Sequence, residues 1–505
     1  MALRRPISDF YVAGRLVPPI FNGAAIAVGL LPVIVFPGLA GALVQGSEGA
    51  SLLAIGGGAG LVAIGFFIAP YLRRFGGYTV PDFLAERFDL PGIRPLAVLA
   101  VILCTFPALA LALLVLGTLV TRVFAIDLGT GVVLGVTMLL ACSFAAGMRS
   151  ASLTQIVQCA ILLAASLVVL ALLLWQGGGF FPALGGAGLR AALAAIQLET
   201  FTAEDTLNRF ALLFCLAAGI AALPHLLVRS LVTPSIEGAR MSFLWALPFT
   251  AALCILAAPS LALFGEVPAA ADNMPALFRL GFAVTGAIAA LLALGSGLVL
   301  ALANTLSYDL YYKMVHPTAS TERRIFVARG AILAVALLAA WAALAQPEPT
   351  RAMTGAVFSL AASAFLPALV LGIWWKRASG EGALAGMLTG LAVCLYYMLA
   401  PRYFPFAFYE TSSFLSDATV AEAQRYNDLR QSYYLADAAT RGVALTAWED
   451  AARAVANWGG VKRDFAGLFA VPIGLLVMIG VSLFTPAPAR EIQSFVEDLR
   501  KTSAA

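Results

Sequence analysis

The chain has 505 residues, of which 61% are hydrophobic and only 11% are charged, with a mean hydropathy of +0.92. Soluble domains carry about 25% charged residues, so this chain cannot cover itself with a polar surface and is predicted to be a polytopic, all-α membrane protein. The formal net charge of +4 comes from basic residues in short loops, which does not favour nucleic-acid binding.

Several protein classes are disfavoured because their characteristic sequence motifs are missing. The six cysteines lie in apolar runs and form no CxxC pair, so we expect neither a disulfide framework nor a metal site. The N-terminus does not have the order of a cleaved signal peptide. There is no P-loop, HExxH, GxSxG or kinase motif, so we expect no ATP-driven pump, no enzyme and no organic cofactor.

Long apolar runs predict about twelve transmembrane helices, because each run is long enough to cross the bilayer and does not alternate as a strand would. The runs cover approximately 18–44, 51–70, 92–122, 129–147, 154–175, 208–232, 242–264, 278–303, 325–345, 353–375, 381–400 and 464–486. An even number places both termini on one side, and the positive-inside bias makes that side the cytoplasm. The short outer loops then carry only Arg122, Arg190, Arg209, Arg279 and Arg351. We therefore expect a multi-pass protein of the plasma (inner) membrane.

The C-terminal third adds two peripheral helices within 381–486. The long segment between them, about 401–463, is expected to form amphipathic helices on the outer face. Residues 487–505 are expected to form a short cytoplasmic tail.

Two runs contain glycine and proline residues that can interrupt a helix: Gly29, Pro32, Pro37 and Gly38 in the first, and Gly219 and Pro224 in the sixth. Interrupted helices at corresponding places in two halves indicate a transporter site. Each of these runs is the first of a block of five, and the two blocks cover 18–175 and 208–375. Because each block has an odd number of spans, the second block crosses the membrane in the opposite orientation to the first. The pattern predicts a 5+5 inverted-repeat core like that of the leucine transporter, unless the residues only kink helices for packing.

His225 and Arg229 follow the second break, in "GIAALPHLLVRS", and lie four residues apart on one helix face. A buried ionisable group in a membrane span is a functional candidate. We expect His225 to bind a carboxylate or carry a proton, or else to hydrogen-bond a carbonyl freed by the break. Arg229 is either part of the site or an interfacial anchor that extends to the headgroups.

Several motifs together resemble the sodium:solute symporter family. They are "SDFYVAGR", "NGAAIA", "RRFGGYTVPDFLAERF", "GMRSASLTQIVQ", "LPHLLVR", "SYDLYY" and "FSLAASAFLPALVLGIWWKR", in this order over nearly the whole chain. The greatest similarity is to the acetate and monocarboxylate permease branch. Most relatives have one helix upstream of the first core helix, so either this member lacks it or its start site is misplaced.

The resemblance implies solute uptake driven by a cation gradient, with an ion site at Val28, Leu31, Ala290, Ala293 and Leu294. Sodium-coupled relatives place hydroxyls at the positions of Ala293 and Leu294, and sodium prefers oxygen ligands. Only backbone carbonyls or Ser296 supply oxygen here, so sodium and protons both remain candidates. Gln155 occupies a position where sodium-coupled relatives often carry an aspartate.

A short monocarboxylate needs only one polar clamp and an apolar slot, whereas a sugar would need many buried polar partners. The expected substrate and gating residues are Gly29, Pro32, Pro224, His225, Arg229, Ser363 and Phe365. Asp309, at the inner end of the eighth run, is expected to pair with a cytoplasmic arginine.

The predicted function is cation-coupled symport of a small organic anion such as acetate through the lipid bilayer. One alternative is a transporter-like membrane sensor that acts with a separate signalling partner, and another is a channel-like or purely structural protein. A small membrane subunit is a further possible partner.

Overall fold

The computed structural model describes residues 7–42, 50–144, 147–176, 206–262, 274–345 and 351–501. Within these ranges the regular secondary structure is entirely helical. The N-terminal helices are α1 (Ile7–Val12), α2 (Pro19–Ala42), α3 (Ala50–Ala63), α4 (Ala69–Phe75), α5 (Val80–Phe88), α6 (Ile93–Phe124), α7 (Leu128–Ser143) and α8 (Met148–Gln176). The middle helices are α9 (Thr206–Ala222), α10 (Pro224–Leu227), α11 (Ile236–Ala262), α12 (Met274–Asn304), α13 (Thr321–Ala345) and α14 (Arg351–Trp374). The C-terminal helices are α15 (Gly380–Tyr403), α16 (Pro405–Ser412), α17 (Val420–Leu435), α18 (Arg441–Val455), α19 (Gly467–Phe484) and α20 (Arg490–Arg500).

Eight helices of the described chain are long and apolar enough to cross a membrane, and up to ten spans result if each of two bent pairs is one span. This establishes a multi-pass membrane protein. The sequence predicts about twelve spans, and a helix does occupy part of every predicted run. The described α7 is shorter than a typical span, at 16 residues.

Glycines allow the core helices to approach closely, as is common in membranes. A Cβ at Gly23 of α2 would lie 2.7 Å from Cβ of Trp245 on α11. A Cβ at Gly60 of α3 would lie 2.6 Å from Cβ of Ile220 on α9. Both distances are shorter than real Cβ contacts, so any larger residue at these positions would force the helices apart.

The core consists of α2 packed against α8, α11 and α12, with α9 held between α3 and α14. Two segments of this bundle are π-helical: Ile64–Ile68 between α3 and α4, and Thr305–Val315 after α12. Such segments are rare and are frequently found at functional sites.

The predicted cytoplasmic face is held by buried arginine contacts. Arg87 of α5 is fully buried and donates hydrogen bonds to the carbonyls of Gly372 (2.7 Å), Trp375 (3.1 Å) and Ala378 (3.3 Å) at the end of α14. Burial lowers the pKa of Arg87 to about 10, so its guanidinium stays charged at neutral pH. It therefore supplies donors to carbonyls that have no partner within the helix.

The segment 401–463 contains the three helices α16, α17 and α18. They pack around a small aromatic cluster in which Tyr426 and Trp448 are buried against Phe406 and Tyr409. A capping box at Thr419 and Glu422 begins α17. This segment therefore folds around an apolar centre of its own.

Candidate functional site

The sixth predicted run is broken just before Pro224, as the sequence predicts. α9 ends at Ala222, and the segment that starts at Pro224 is bent by 47° from it. Leu223 between them is extended (φ −64°, ψ 118°), and Pro224 has no N–H to continue the helical hydrogen bonds. After α10 the chain forms a 3-10 helix over Val228–Val232. Gly219 has a different role, because a Cβ there would lie 2.5 Å from Cβ of Phe358 on α14.

His225 lies directly after this break and is only 6% exposed. Neither Nδ1 nor Nε2 has a hydrogen-bond partner in the described part of the protein. The described residues therefore show no hydrogen bond from His225 to a carbonyl freed by the break. A Cβ built at Gly297 of α12 would lie 3.8 Å from Cδ2 of His225 and 3.7 Å from Nε2 of Gln155, so both side chains border the space beside this glycine.

Arg229 is buried inside the protein, at 2% exposed, so it is not the interfacial anchor considered above. Its Nη1 donates to Oγ of Ser152 on α8 at 3.0 Å, while Nη2 has no partner among the described residues. Its backbone carbonyl accepts a hydrogen bond from Nδ2 of Asn22 on α2 at 2.9 Å. The broken segment is thus fixed to α2 and α8 through this one residue.

Gln155 joins α8 to α12. Its Nε2 donates to the carbonyl of Ala293 at 2.7 Å and to Oγ of Ser296 at 3.2 Å, and Ser296 also donates to the Ala293 carbonyl at 2.9 Å. Oε1 of Gln155 is buried without a partner in the described chain. We refer to the buried polar side chains at this convergence of helices as the polar cluster; its members are Asn22, Ser152, Gln155, His225, Arg229 and Ser296.

Four of the five predicted ion-site residues lie together. Val28, Leu31, Ala290 and Ala293 are buried in one apolar cluster between α2, α8 and α12, whereas Leu294 packs in the main core.

The predicted break in the first run is wrong, because α2 is helical from Pro19 to Ala42. The chain bends earlier, before α2: the segments Ile7–Arg15 and Pro19–Pro32 meet at an angle of 102°.

Pro32 is buried within the continuous helix α2, and the side chain of Pro37 lies outside the described part. Because proline has no N–H, Pro32 cannot donate to the carbonyl four residues earlier, at Val28. Gly29 is buried as well, and no described heavy atom lies within 4 Å of a Cβ built on it. The middle of α2 therefore offers one carbonyl without its usual donor and, among the described residues, open space beside Gly29.

Ser363 and Phe365 on α14 are fully buried but are not brought to His225 by the contacts that the structure shows. Oγ of Ser363 donates to the carbonyl of Ser359, and its backbone carbonyl packs against Gly390 on α15. Phe365 lies in the main apolar core.

Asp309 forms the predicted ion pair at the C-terminal end of the eighth run. Its Oδ1 lies 2.8 Å from Nη1 of Arg94, which also contacts Asp82 at 3.2 Å. Lys313 adds a second cation 3.8 Å from Asp82. This network ties α5 and α6 to the π-helical segment Thr305–Val315, beyond the polar cluster.

Sequence reasoning did not single out Asn22 or Ser152 as site residues. Single serines and asparagines are common, and neither residue adjoins a break. A usable signal was present, because Ser152 and Gln155 are three residues apart and share a face of an apolar helix.

Comparison with known proteins gives consistent results. Residues 10–390 match the sodium:solute symporter family. An uncharacterized symporter of Cupriavidus necator is 29% identical, covering 98% of this chain and 90% of the relative. An uncharacterized symporter of Bacillus subtilis is 30% identical, covering 77% of this chain and 80% of the relative.

Two solved structures show the fold. One is the substrate-bound outward-open state of a Na+-coupled sialic acid symporter, with a TM-score of 0.65 and 17% identity over 95% of this chain and 93% of that chain. The other is Mhp1, a nucleobase-cation-symport-1 family transporter in a closed conformation with bromovinylhydantoin bound, with a TM-score of 0.52 and 14% identity over 99% and 100% of the two chains. The fold is therefore that of helical, leucine-transporter-like membrane transporters.

Proposed function

The chain belongs to the sodium:solute symporter family, and we propose that it imports a small monocarboxylate such as acetate together with a cation. In this proposal the five-helix repeats, 18–175 and 208–375, alternate access to the polar cluster across the plasma membrane. Both termini face the cytoplasm.

The observation that carries this proposal is that the buried ring of His225 has no hydrogen-bond partner in the described chain. A buried imidazole normally has a hydrogen-bond partner, because an unsatisfied buried polar group costs about 1–3 kcal/mol. Both ring nitrogens of His225 lack one in the described chain, directly after a helix break. Such a group is best explained as one whose partner is a transported species, either a solute oxygen or a proton.

A small, mostly apolar solute fits the surroundings. Open space lies beside Gly29 in the described chain, and Val28 and Leu31 of the same helix pack with Ala293 in an apolar cluster. A short alkyl chain needs no polar partner there, and its carboxylate needs only the polar cluster. Ser363 and Phe365 would act at a distance in this arrangement, by positioning α14.

Two coupling cations fit the residues present, sodium and a proton. A sodium ion needs oxygen ligands, and the Val28 carbonyl, freed by Pro32, is one candidate. The Ala293 carbonyl and Ser296 hydroxyl are already bound by Gln155, so they become ligands only if that amide moves. The remaining candidates, Leu31, Ala290 and Leu294, contribute backbone carbonyls alone. A proton carried by His225 is the other coupling ion that the chemistry allows.

Uptake of radiolabelled acetate by cells that produce the protein tests the substrate class. We expect competition by unlabelled C2 to C4 monocarboxylates and none by sugars or sialic acid. His225→Ala should abolish uptake at an unchanged membrane protein level. Competition by sugars, or wild-type uptake in His225→Ala, would refute the proposal, and absence of any concentrative uptake would favour the sensor alternative.

A further inference from the structure

Arg229 is a buried cation for which the described chain provides no acidic partner. Its guanidinium is charged at neutral pH. Ser152 accepts one hydrogen bond from it, but a serine hydroxyl carries no charge that would compensate the guanidinium. Nη2 is buried and unpartnered among the described atoms.

Three carboxylates of neighbouring segments are paired with other bases. Asp9 lies 2.7 Å from Arg149, Asp309 lies 2.8 Å from Arg94, and Glu237 lies 3.5 Å from Arg240. An uncompensated buried charge is strongly unfavourable. Three carbonyls surround the buried guanidinium of Arg87, whereas that of Arg229 has one serine hydroxyl. Among the described residues, no negative charge compensates the Arg229 guanidinium.

Arg229 is also held in position, which a mobile surface arginine is not. Asn22 of α2 fixes its backbone carbonyl, and Ser152 of α8 fixes its Nη1. Nη2 is left as the free donor of a guanidinium fork, the geometry that suits a carboxylate. The unpartnered nitrogens of His225 belong to the same polar cluster, one helical turn earlier in the chain.

We infer that Arg229 binds the transported anion through Nη2 and makes a negative charge obligatory, so that it selects carboxylates against neutral molecules of the same shape. This inference rests on the proposed function and specifies which residue sets the substrate class. The bound anion is either the organic carboxylate itself or an inorganic anion such as chloride, and the two are separated by experiment.

The test is ligand-induced thermal stabilisation of the purified full-length protein in detergent, measured in a chloride-free buffer. The probes are acetate, its neutral isostere acetamide, and chloride. We expect acetate to raise the melting temperature in a saturable way and acetamide to have no effect. Saturable stabilisation by chloride with none by acetate would overturn the assignment of the subsite to the solute.

Variants isolate the role of the charge. Arg229→Gln should weaken acetate binding by about ten- to a hundredfold, the range for a hydrogen bond to a charged group, while the unliganded melting temperature stays equal or rises because a buried charge is removed. Arg229→Lys should restore part of the affinity, since it keeps the charge but not the fork. Arg323→Gln, at an exposed arginine outside the cluster, is the matched control and should behave as wild type.

The outcomes distinguish this inference from the proposed function. Equal stabilisation by acetate and acetamide, or undiminished acetate binding in Arg229→Gln, would overturn the inference, whereas gradient-driven acetate uptake would still support symport. No stabilisation by acetate or by chloride would overturn the inference as well. The proposed function would then be decided by uptake alone.

Discussion

Replacing His225 with leucine should separate the stability of the fold from transport. The ring is buried, and neither nitrogen has a partner in the described chain, so the native histidine leaves a donor and an acceptor unsatisfied. Each such group costs about 1–3 kcal/mol, and leucine fills a similar volume without polar atoms. We expect His225→Leu to leave the free energy of unfolding unchanged or to raise it by about 1–3 kcal/mol, within the same range of costs.

Acetate uptake by the same variant should fall to the background of membranes without the protein. The assay compares uptake per amount of folded protein with thermal unfolding followed by tryptophan fluorescence. The matched control is His316→Leu, because His316 lies on a loop where its Nδ1 contacts Thr318, and uptake should be unchanged. A His225→Leu protein that loses stability and uptake in proportion would refute the reasoning, since His225 would then be structural.

Three other substitutions test the surroundings of the site. Arg94→Met should lower the free energy of unfolding by about 3–5 kcal/mol because it leaves Asp309 buried without its cation, and adding Asp309→Asn should recover most of the loss. If thermal unfolding shows no recovery of stability in the double variant, the pairing of Arg94 with Asp309 is contradicted. Gly29→Leu should block uptake with little change in melting temperature, because its side chain enters unfilled space; normal uptake would show that the space is not on the pathway. Arg87→Met should destabilise the protein by about 3 kcal/mol or more, since the carbonyls of Gly372, Trp375 and Ala378 each lose the hydrogen bond from this guanidinium, and a melting temperature within 1 °C or so of wild type would exclude this role.

The helices and one break were predictable from the sequence. Long apolar runs leave a membrane segment no alternative to the helix, which is why each run contains one. Pro224 was identified correctly because its neighbour Leu223 takes the extended conformation that a following proline favours.

The break at Gly29 and Pro32 was predicted by the same reasoning and is wrong. A proline inside a membrane helix removes one hydrogen bond, but neighbouring helices can keep the segment helical. Here Gly23 brings α2 into close contact with α11, and that packing depends on residues more than two hundred positions away in the chain. Local sequence therefore shows where a helix is weakened but not whether tertiary contacts hold it together.

The polar cluster was predictable only in part. His225 and Arg229 are conspicuous because ionisable residues are rare in apolar runs. Their significance, however, depends on which atoms lack partners, and that is set by where Ser152, Gln155 and Asn22 point. Those orientations follow from packing between four separate helices, which no local pattern encodes.

The most direct test of the central claim is uptake of radiolabelled acetate into proteoliposomes with an inward sodium gradient or an inward proton gradient imposed separately. The account predicts concentrative uptake under one of the two gradients, abolished by His225→Leu. Uptake driven by sodium would favour a cation site built from carbonyls such as that of Val28, and uptake driven only by protons would favour coupling through His225. Acetate flux that never exceeds equilibrium under either gradient would contradict the claim that this chain is a cation-coupled monocarboxylate symporter.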